Sequence, residues 1–204
     1  MKKPYSLKKE QKLYNIETAR QKVIEFLFRY PEKEFSLSDL AKEAGVAKAN
    51  IGMIINEFTE GGLIEVEKLT KIWRIRANMR NPDFINGKIL SNLSQIYNSN
   101  FVAFLNDYFG NPKTIVLFGS YRKGEDSSIS DIDIAIESDE IKGYKTGNLR
   151  DFLCKKLRQD VEKFEDDIGR KIQIHLFNRK SVDLNVFNNI ANGIVLSGFL
   201  EVKP

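Results

Sequence analysis

One cysteine, Cys154, and one histidine, His175, stand among 204 residues. A lone cysteine excludes a disulfide framework within the chain, and the pair excludes an intrachain Cys/His zinc site. No apolar run approaches the length that crosses a bilayer, and the opening MKKPYSLKKEQKLYN lacks the apolar core of a secretory signal. Internal repeats and low-complexity tracts are missing too. These absences make a reduced, cytoplasmic setting the expectation. The bulk composition, 42% hydrophobic and 29% charged, is that of a globular chain long enough for one large domain or two small ones.

Charge is unevenly divided. Residues 1–80 hold 16 Lys+Arg against 11 Asp+Glu, whereas residues 81–204 hold 16 against 17. A basic front half suits a polyanionic partner, although basic charge alone also serves solubility. Lys2, Lys3, Lys8, Lys9 and Lys12 fall in a stretch without apolar period, which reads as a basic arm over residues 1–15.

From Glu17 to Tyr30 the apolar residues Ala19, Val23, Ile24, Leu27 and Phe28 share one helical face, and Pro31 ends the run. Ser36-Leu-Ser-Asp39 has the form of a capping box, predicting a short helix from Leu37 that stops at Gly45. A second helix is expected from about Ala47 to Glu60, with Ile51, Ile54, Ile55 and Phe58 inward and Gly61-Gly62 closing it. Leu63–Glu67 and Ile72–Ala77 then read as strands of a hairpin with the polar tip Lys68-Leu-Thr-Lys71. Two short helices across a Gly turn, after a longer helix and before a hairpin, resemble a winged helix-turn-helix domain over residues 16–78. The resemblance implies double-stranded DNA as partner. Lys48, Asn50 and Asn56 would face the major groove, and Lys68, Lys71, Arg74 and Arg76 would lie along the wing. Such domains commonly pair on two half-sites, which adds a homodimer to what is implied; the same fold also serves protein contact. Residues 79–110 read as two linking helices that pack rather than dangle, carrying Phe84, Ile85, Ile89, Leu90, Leu93 and Ile96, then Phe101, Val102, Phe104, Leu105 and Phe109.

The chemistry lies further on. Thr114-Ile-Val-Leu-Phe118 is a short, continuously apolar run, as a buried strand requires, and Gly119-Ser120 follows directly. After ten more residues comes Asp131-Ile-Asp133-Ile-Ala-Ile136, an alternating strand. Residues two apart on a strand face one side, so Asp131 and Asp133 present two carboxylates together while Ile132, Ile134 and Ile136 turn to the core. Two adjacent carboxylates repel unless a cation joins them, and Mg²⁺ favours a pair of carboxylates completed by phosphate oxygens. Glycine lets a phosphate approach the backbone, and the Ser120 hydroxyl with neighbouring N–H groups can bond its oxygens. Arg122 and Lys123 add positive charge beside that turn, or are simply solvated.

Gly119-Ser120, ten residues, then Asp131-x-Asp133 resembles the signature of the DNA polymerase beta-like nucleotidyltransferases, and residues 111–204 resemble their minimal form. The fold class expected for the whole is α+β, a winged helix-turn-helix followed by linking helices and an α/β domain with a mixed sheet. The resemblance implies attack by an acceptor hydroxyl on the α-phosphate of a nucleoside triphosphate, with pyrophosphate leaving and Mg²⁺ at Asp131 and Asp133, a two-metal arrangement being compatible. Relatives modify antibiotics, RNA ends or protein side chains, and minimal ones commonly transfer AMP to a partner toxin.

One position departs from the family pattern. A third aspartate on a later strand is replaced by Gln173, in the alternation of Ile172, Ile174 and Leu176. A neutral amide can bond a hydroxyl but takes no proton at neutral pH. His175 shares its face and is a candidate base, against the commoner reading of a half-exposed strand histidine without a role. Two readings stay open: a DNA-binding regulator whose second domain binds Mg-NTP and transfers a nucleotidyl group, or a non-catalytic regulator whose degenerate domain senses nucleotide or holds a partner. An antibiotic-modifying enzyme ranks last. Leu149–Asp167 reads as one amphipathic helix with Cys154 near its apolar face, Asp166 and Asp167 as solvated, Glu137 as past the site, and Asn185–Asn192 as a closing helix before the strand-like Gly193–Leu196.

Overall fold

The computed structural model describes residues 18–69 and 73–202. The chain divides into two compact units between Ser91 and Asn92. The expected basic arm over residues 1–15 lies outside the described residues.

The first unit opens with α1 (Ala19–Arg29), whose Thr18 cap accepts from the Gln21 N–H, and which buries Val23, Leu27 and Phe28. A two-residue strand, β1 (Glu34–Phe35), precedes α2 (Leu37–Glu43). Ser36 caps α2 as its motif predicts, with its hydroxyl accepting from the Asp39 N–H at 3.1 Å. The acidic residue closes the motif differently, because the Ser36 hydroxyl also donates to the Asp39 carboxylate at 2.7 Å. Helix α3 (Lys48–Glu60) buries Ile51, Ile54, Ile55 and Phe58, all four expected. Strands β2 (Ile64–Lys68) and β3 (Trp73–Ala77) pair antiparallel, from Ile64 opposite Ala77 to Lys68 opposite Trp73. The predicted first residue of β3, Ile72, lies outside the described residues. β1 adds to the far side of β3, giving the order β1-β3-β2. That third strand was not expected, since two residues carry no period.

Helix α4 (Pro82–Asn98) begins where the Asn81 side chain accepts from the N–H groups of Asp83 and Phe84. Its most buried positions are Phe84, Lys88, Asn92 and Ile96, one per turn, and two of them are polar. Leu90, expected inward, is 69% exposed. At about 100° per residue it stands nearly opposite Lys88, so helical geometry overrides its hydrophobicity.

The second unit carries α5 (Phe101–Tyr108), β4 (Thr114–Phe118), α6 (Gly119–Lys123), β5 (Ile132–Glu137), β6 (Tyr144–Asn148), α7 (Leu149–Phe152), α8 (Lys155–Ile168), β7 (Ile172–Phe177), α9 (Leu184–Ala191) and β8 (Ile194–Gly198). They form a mixed five-stranded sheet ordered β6-β7-β5-β4-β8, in which β5 and β7 are parallel and the other neighbours antiparallel. One face, with Leu117, Ile134, Ile136, Ile172 and Ile174, packs on Phe101, Phe104 and Leu105 of α5 and Val161 and Phe164 of α8. On the other face Val116, Ala135 and Phe177 meet Ile190 of α9. Among the described residues no helix is long and apolar enough to cross a membrane.

The expected single helix over 149–167 is two. Leu153 and Cys154 are extended between α7 and α8. Side chains take the carbonyls this break frees: the Tyr108 hydroxyl donates to Phe152, and Arg158 Nε donates to the Leu153 oxygen at 2.9 Å. Cys154 is consequently exposed at the N-cap of α8 and is no core residue, correcting the expectation. Asp166 and Asp167 are exposed, as expected, and Glu137 closes β5 in a buried position, its carboxyl pushed above the usual range by burial.

The loop from α6 to β5 is anchored from beneath. Asp126 and Arg170 are buried and paired at 3.1 Å, and Asn92 donates to Asp126 at 2.9 Å and to the Tyr121 carbonyl at 2.8 Å. Removing one partner of a buried pair strands the other charge, at a cost on the order of 3–5 kcal/mol. Asp126→Ala is therefore expected to destabilise the fold by that amount in denaturant unfolding, whereas an unchanged midpoint would show that water reaches Arg170.

Candidate functional site

The parallel register of β5 and β7 sets Asp133 opposite Gln173 and Ala135 opposite His175, while antiparallel β4 sets Phe118 opposite Asp133. Paired residues share a face. Phe118, Asp133, Gln173 and His175 therefore stand together on the α9 side of the sheet, at the end where β5 begins. Ile132, Ile134, Ile172 and Ile174 are fully buried on the other side, as the alternation predicts.

Gly119 turns the chain from β4 into α6 at φ +75°. A Cβ there would collide with the Asp133 carboxylate, so glycine serves both the left-handed turn and the close approach of the acid. α6 starts after extended Phe118, whose side chain makes no cap hydrogen bond. Ser120 and Arg122 are half-buried; Lys123 is exposed and lies 3.9 Å from Glu125. The structure thus brings Gly119 against Asp133. It places Asp131 one residue before the strand, exposed at the edge of a cleft of about 510 Å³ also lined by Ser128, Ser130, Arg150 and Lys171. Strand β5 accordingly begins at Ile132 and not at Asp131.

His175 is the most constrained group of the site. Its Nε2 lies 3.0 Å from Asp133 Oδ1, its Nδ1 is bonded to the Tyr144 hydroxyl, and Phe118 packs edge-on to its ring at 4.8 Å. Only 12% of its side chain is exposed. Burial raises the Tyr144 hydroxyl above its usual range, and the Asp133 charge adds to this, so the phenol keeps its proton at neutral pH. Gln173 is engaged as well, donating to Thr146 Oγ1 at 3.0 Å. Tyr144 and Thr146 belong to β6, which sequence reasoning missed. The segment Tyr-Lys-Thr-Gly-Asn is polar and mostly exposed, so no apolar alternation marks it. With both ring nitrogens of His175 occupied, an acceptor hydroxyl would have to displace one partner to reach it.

In the first unit Lys48, Asn50 and Asn56 are exposed on α3. Lys68 lies over the Trp73 ring at 4.4 Å, Arg74 is 3.9 Å from Glu67, and Arg76 pairs with Glu65 at 2.6 Å and Glu34 at 3.9 Å. Lys71 lies outside the described residues.

Residues 99–195 match the family model of the nucleotidyltransferase domain. No curated protein and no solved structure matches the chain. The nucleotidyltransferase match starts just before α5 and ends within β8, so it takes in the sheet, Gly119-Ser120 and the aspartate pair. It points to nucleotidyl transfer, a chemistry that uses a nucleoside triphosphate and a divalent cation. Among the described residues no three His, Cys, Asp or Glu side chains form a ready metal cage. The Asp133 carboxylate against the glycine turn fits instead a hard cation that arrives with its triphosphate, which contributes oxygens of its own.

Gly119→Ala should cost at least the 1–2 kcal/mol of a left-handed non-glycine residue, because it also expels the Asp133 carboxylate. Denaturant unfolding measures this, and a smaller loss would mean that the Asp133 side chain swings away freely.

Proposed function

We propose that the nucleotidyltransferase segment binds a nucleoside triphosphate with Mg²⁺ at Gly119, Ser120, Asp131 and Asp133, and that the protein couples this site to a DNA-binding domain. The close approach of Gly119 to Asp133 carries the reading. With no Cβ, the Gly119 backbone lets the Asp133 carboxylate lie directly against the turn, so a cation held by that carboxylate and a phosphate bonded by the turn would be neighbours. When bound, the cation supplies charge neutralisation on the phosphate oxygens. The protein's own part is positional. Ser120 and the first N–H groups of α6 can donate to phosphate oxygens, Arg122 and Lys123 add charge, and Asp131 and Asp133 hold the cation. The product would be a nucleotidyl group on an acceptor hydroxyl, a partner toxin being the candidate acceptor.

DNA binding is supported by three helices followed by an antiparallel hairpin, with Lys48, Asn50 and Asn56 exposed on the third helix. This is the order of a winged helix-turn-helix. The carboxylates beside Arg74 and Arg76 weigh on the other side, although such exposed pairs are weakly held and a phosphate can replace them. A homodimer would suit two half-sites.

A second reading has an observation of its own. Gln173 stands where the family pattern has an acid, and it is tied to Thr146. An amide takes no proton, which favours nucleotide sensing without transfer.

Calorimetric titration with each NTP, with and without Mg²⁺, separates these readings from no nucleotide role at all. Magnesium-dependent binding is expected in the wild type and not in the Asp131→Asn/Asp133→Asn variant; no binding to any NTP would overturn the proposal. A sharp gain of transfer in Gln173→Asp would identify a disabled transferase, and a measurable wild-type rate without such a gain would identify an active one.

A further inference from the structure

An imidazole nitrogen and a carboxylate oxygen 3.0 Å apart satisfy two different bonds. One is the hydrogen bond from Nε2–H to Asp133. The other is shared coordination: neighbouring ligands at a right angle around an ion, each about 2.1 Å from it, are also about 3.0 Å apart. Which bond forms depends on the Nε2 proton, and Nδ1 lies against a group that accepts either answer. The Tyr144 hydroxyl can donate to a bare Nδ1 or accept from Nδ1–H.

We propose that His175 Nε2 and Asp133 Oδ1 form a divalent-cation site that favours a first-row transition ion, such as Mn²⁺ or Zn²⁺, over Mg²⁺. The site rests on the nucleotidyltransferase reading only in that the same cation would accompany the NTP. Imidazole suits transition ions, whereas Mg²⁺ prefers an all-oxygen shell. Without the ion, Nε2 carries the proton and Tyr144 donates to Nδ1. With it, the ring proton moves to Nδ1 and is donated to the Tyr144 oxygen, the phenol keeping its own hydrogen. Tyr144 is then the outer partner that metal-bound histidines ordinarily possess, and its phenol, kept protonated, adds no charge of its own. Phe118 packs edge-on to the imidazole and limits its movement. Phosphate oxygens and water complete the shell.

His175 is the only histidine of the chain, so its ring nitrogens are seen alone in the spectrum of ¹⁵N-histidine-labelled full-length protein. On adding Zn²⁺, with and without ATP, Nε2 is expected to lose its attached proton and Nδ1 to gain one, while Mg²⁺ leaves the pattern unchanged. By calorimetry Tyr144→Phe is expected to weaken Mn²⁺ binding about 10–100-fold, as loss of an outer partner does, and to leave Mg²⁺ binding in place. His175→Asn is expected to abolish the preference for Mn²⁺. An Nε2 that keeps its proton in saturating Zn²⁺, or a His175→Asn protein with the wild-type preference, overturns the site. If Mg²⁺-dependent NTP binding persists beside an unmoved histidine signal, this inference fails alone. If Zn²⁺ takes Nε2 but no NTP binds, the nucleotidyltransferase reading fails and the cation site stands.

Discussion

The parallel pairing of β5 with β7 is the constraint on which the site depends. These strands enter the sheet from different parts of the chain, and their register places Asp133 beside Gln173 and His175 one pair further along. A slip of one residue would turn Asp133, Gln173 and His175 into the apolar side and bring isoleucines out to water. The continuous burial of Ile132, Ile134, Ile172 and Ile174 forbids that slip, because each fully buried side chain is worth about 1.5–3 kcal/mol. The hydrophobic face therefore sets the geometry of the polar one.

Two further devices hold the polar face in working order. At the end of β4 the missing Cβ of Gly119 gives the Asp133 carboxylate its place. Beneath the loop that follows, the buried Asp126–Arg170 pair and Asn92 tie helix α4, the loop and the start of β7 to one another. A buried pair of this kind contributes little over apolar packing, but breaking it is expensive, so it acts mainly as a positional lock. The charged residues of the β2–β3 hairpin behave in the opposite way: they are exposed, and their ion pairs add little to stability.

Much of this was legible in the residue order. Helical period marked Val23, Leu27, Ile51, Ile55 and Phe58 as core, and strand alternation separated Ile172 and Ile174 from Gln173 and His175. The Ser36 cap and the glycine turn into α6 were equally plain, since both are local devices. The failures share a cause. Leu90 and Cys154 were judged on hydrophobicity, yet helix phase and a backbone break decide their exposure. Lys88 and Asn92 are buried although both are polar, because they occupy the stripe between Phe84 and Ile96. Strand β6 is polar and sits at the sheet edge, so it lacks the alternation that betrays a half-buried strand.

By itself the amino-acid sequence determined the local elements of the candidate site. The spacing of Gly119-Ser120 and Asp131-x-Asp133 is short-range, and the alternation of β5 needs only a buried face to act on. What the tertiary structure alone decided is the surroundings of Asp133. The Gly119 backbone, His175 and, through the imidazole, Tyr144 come from three strands or strand ends distant in sequence from one another. Their meeting depends on strand order and register, which are set by packing across the whole sheet and are written in no local pattern.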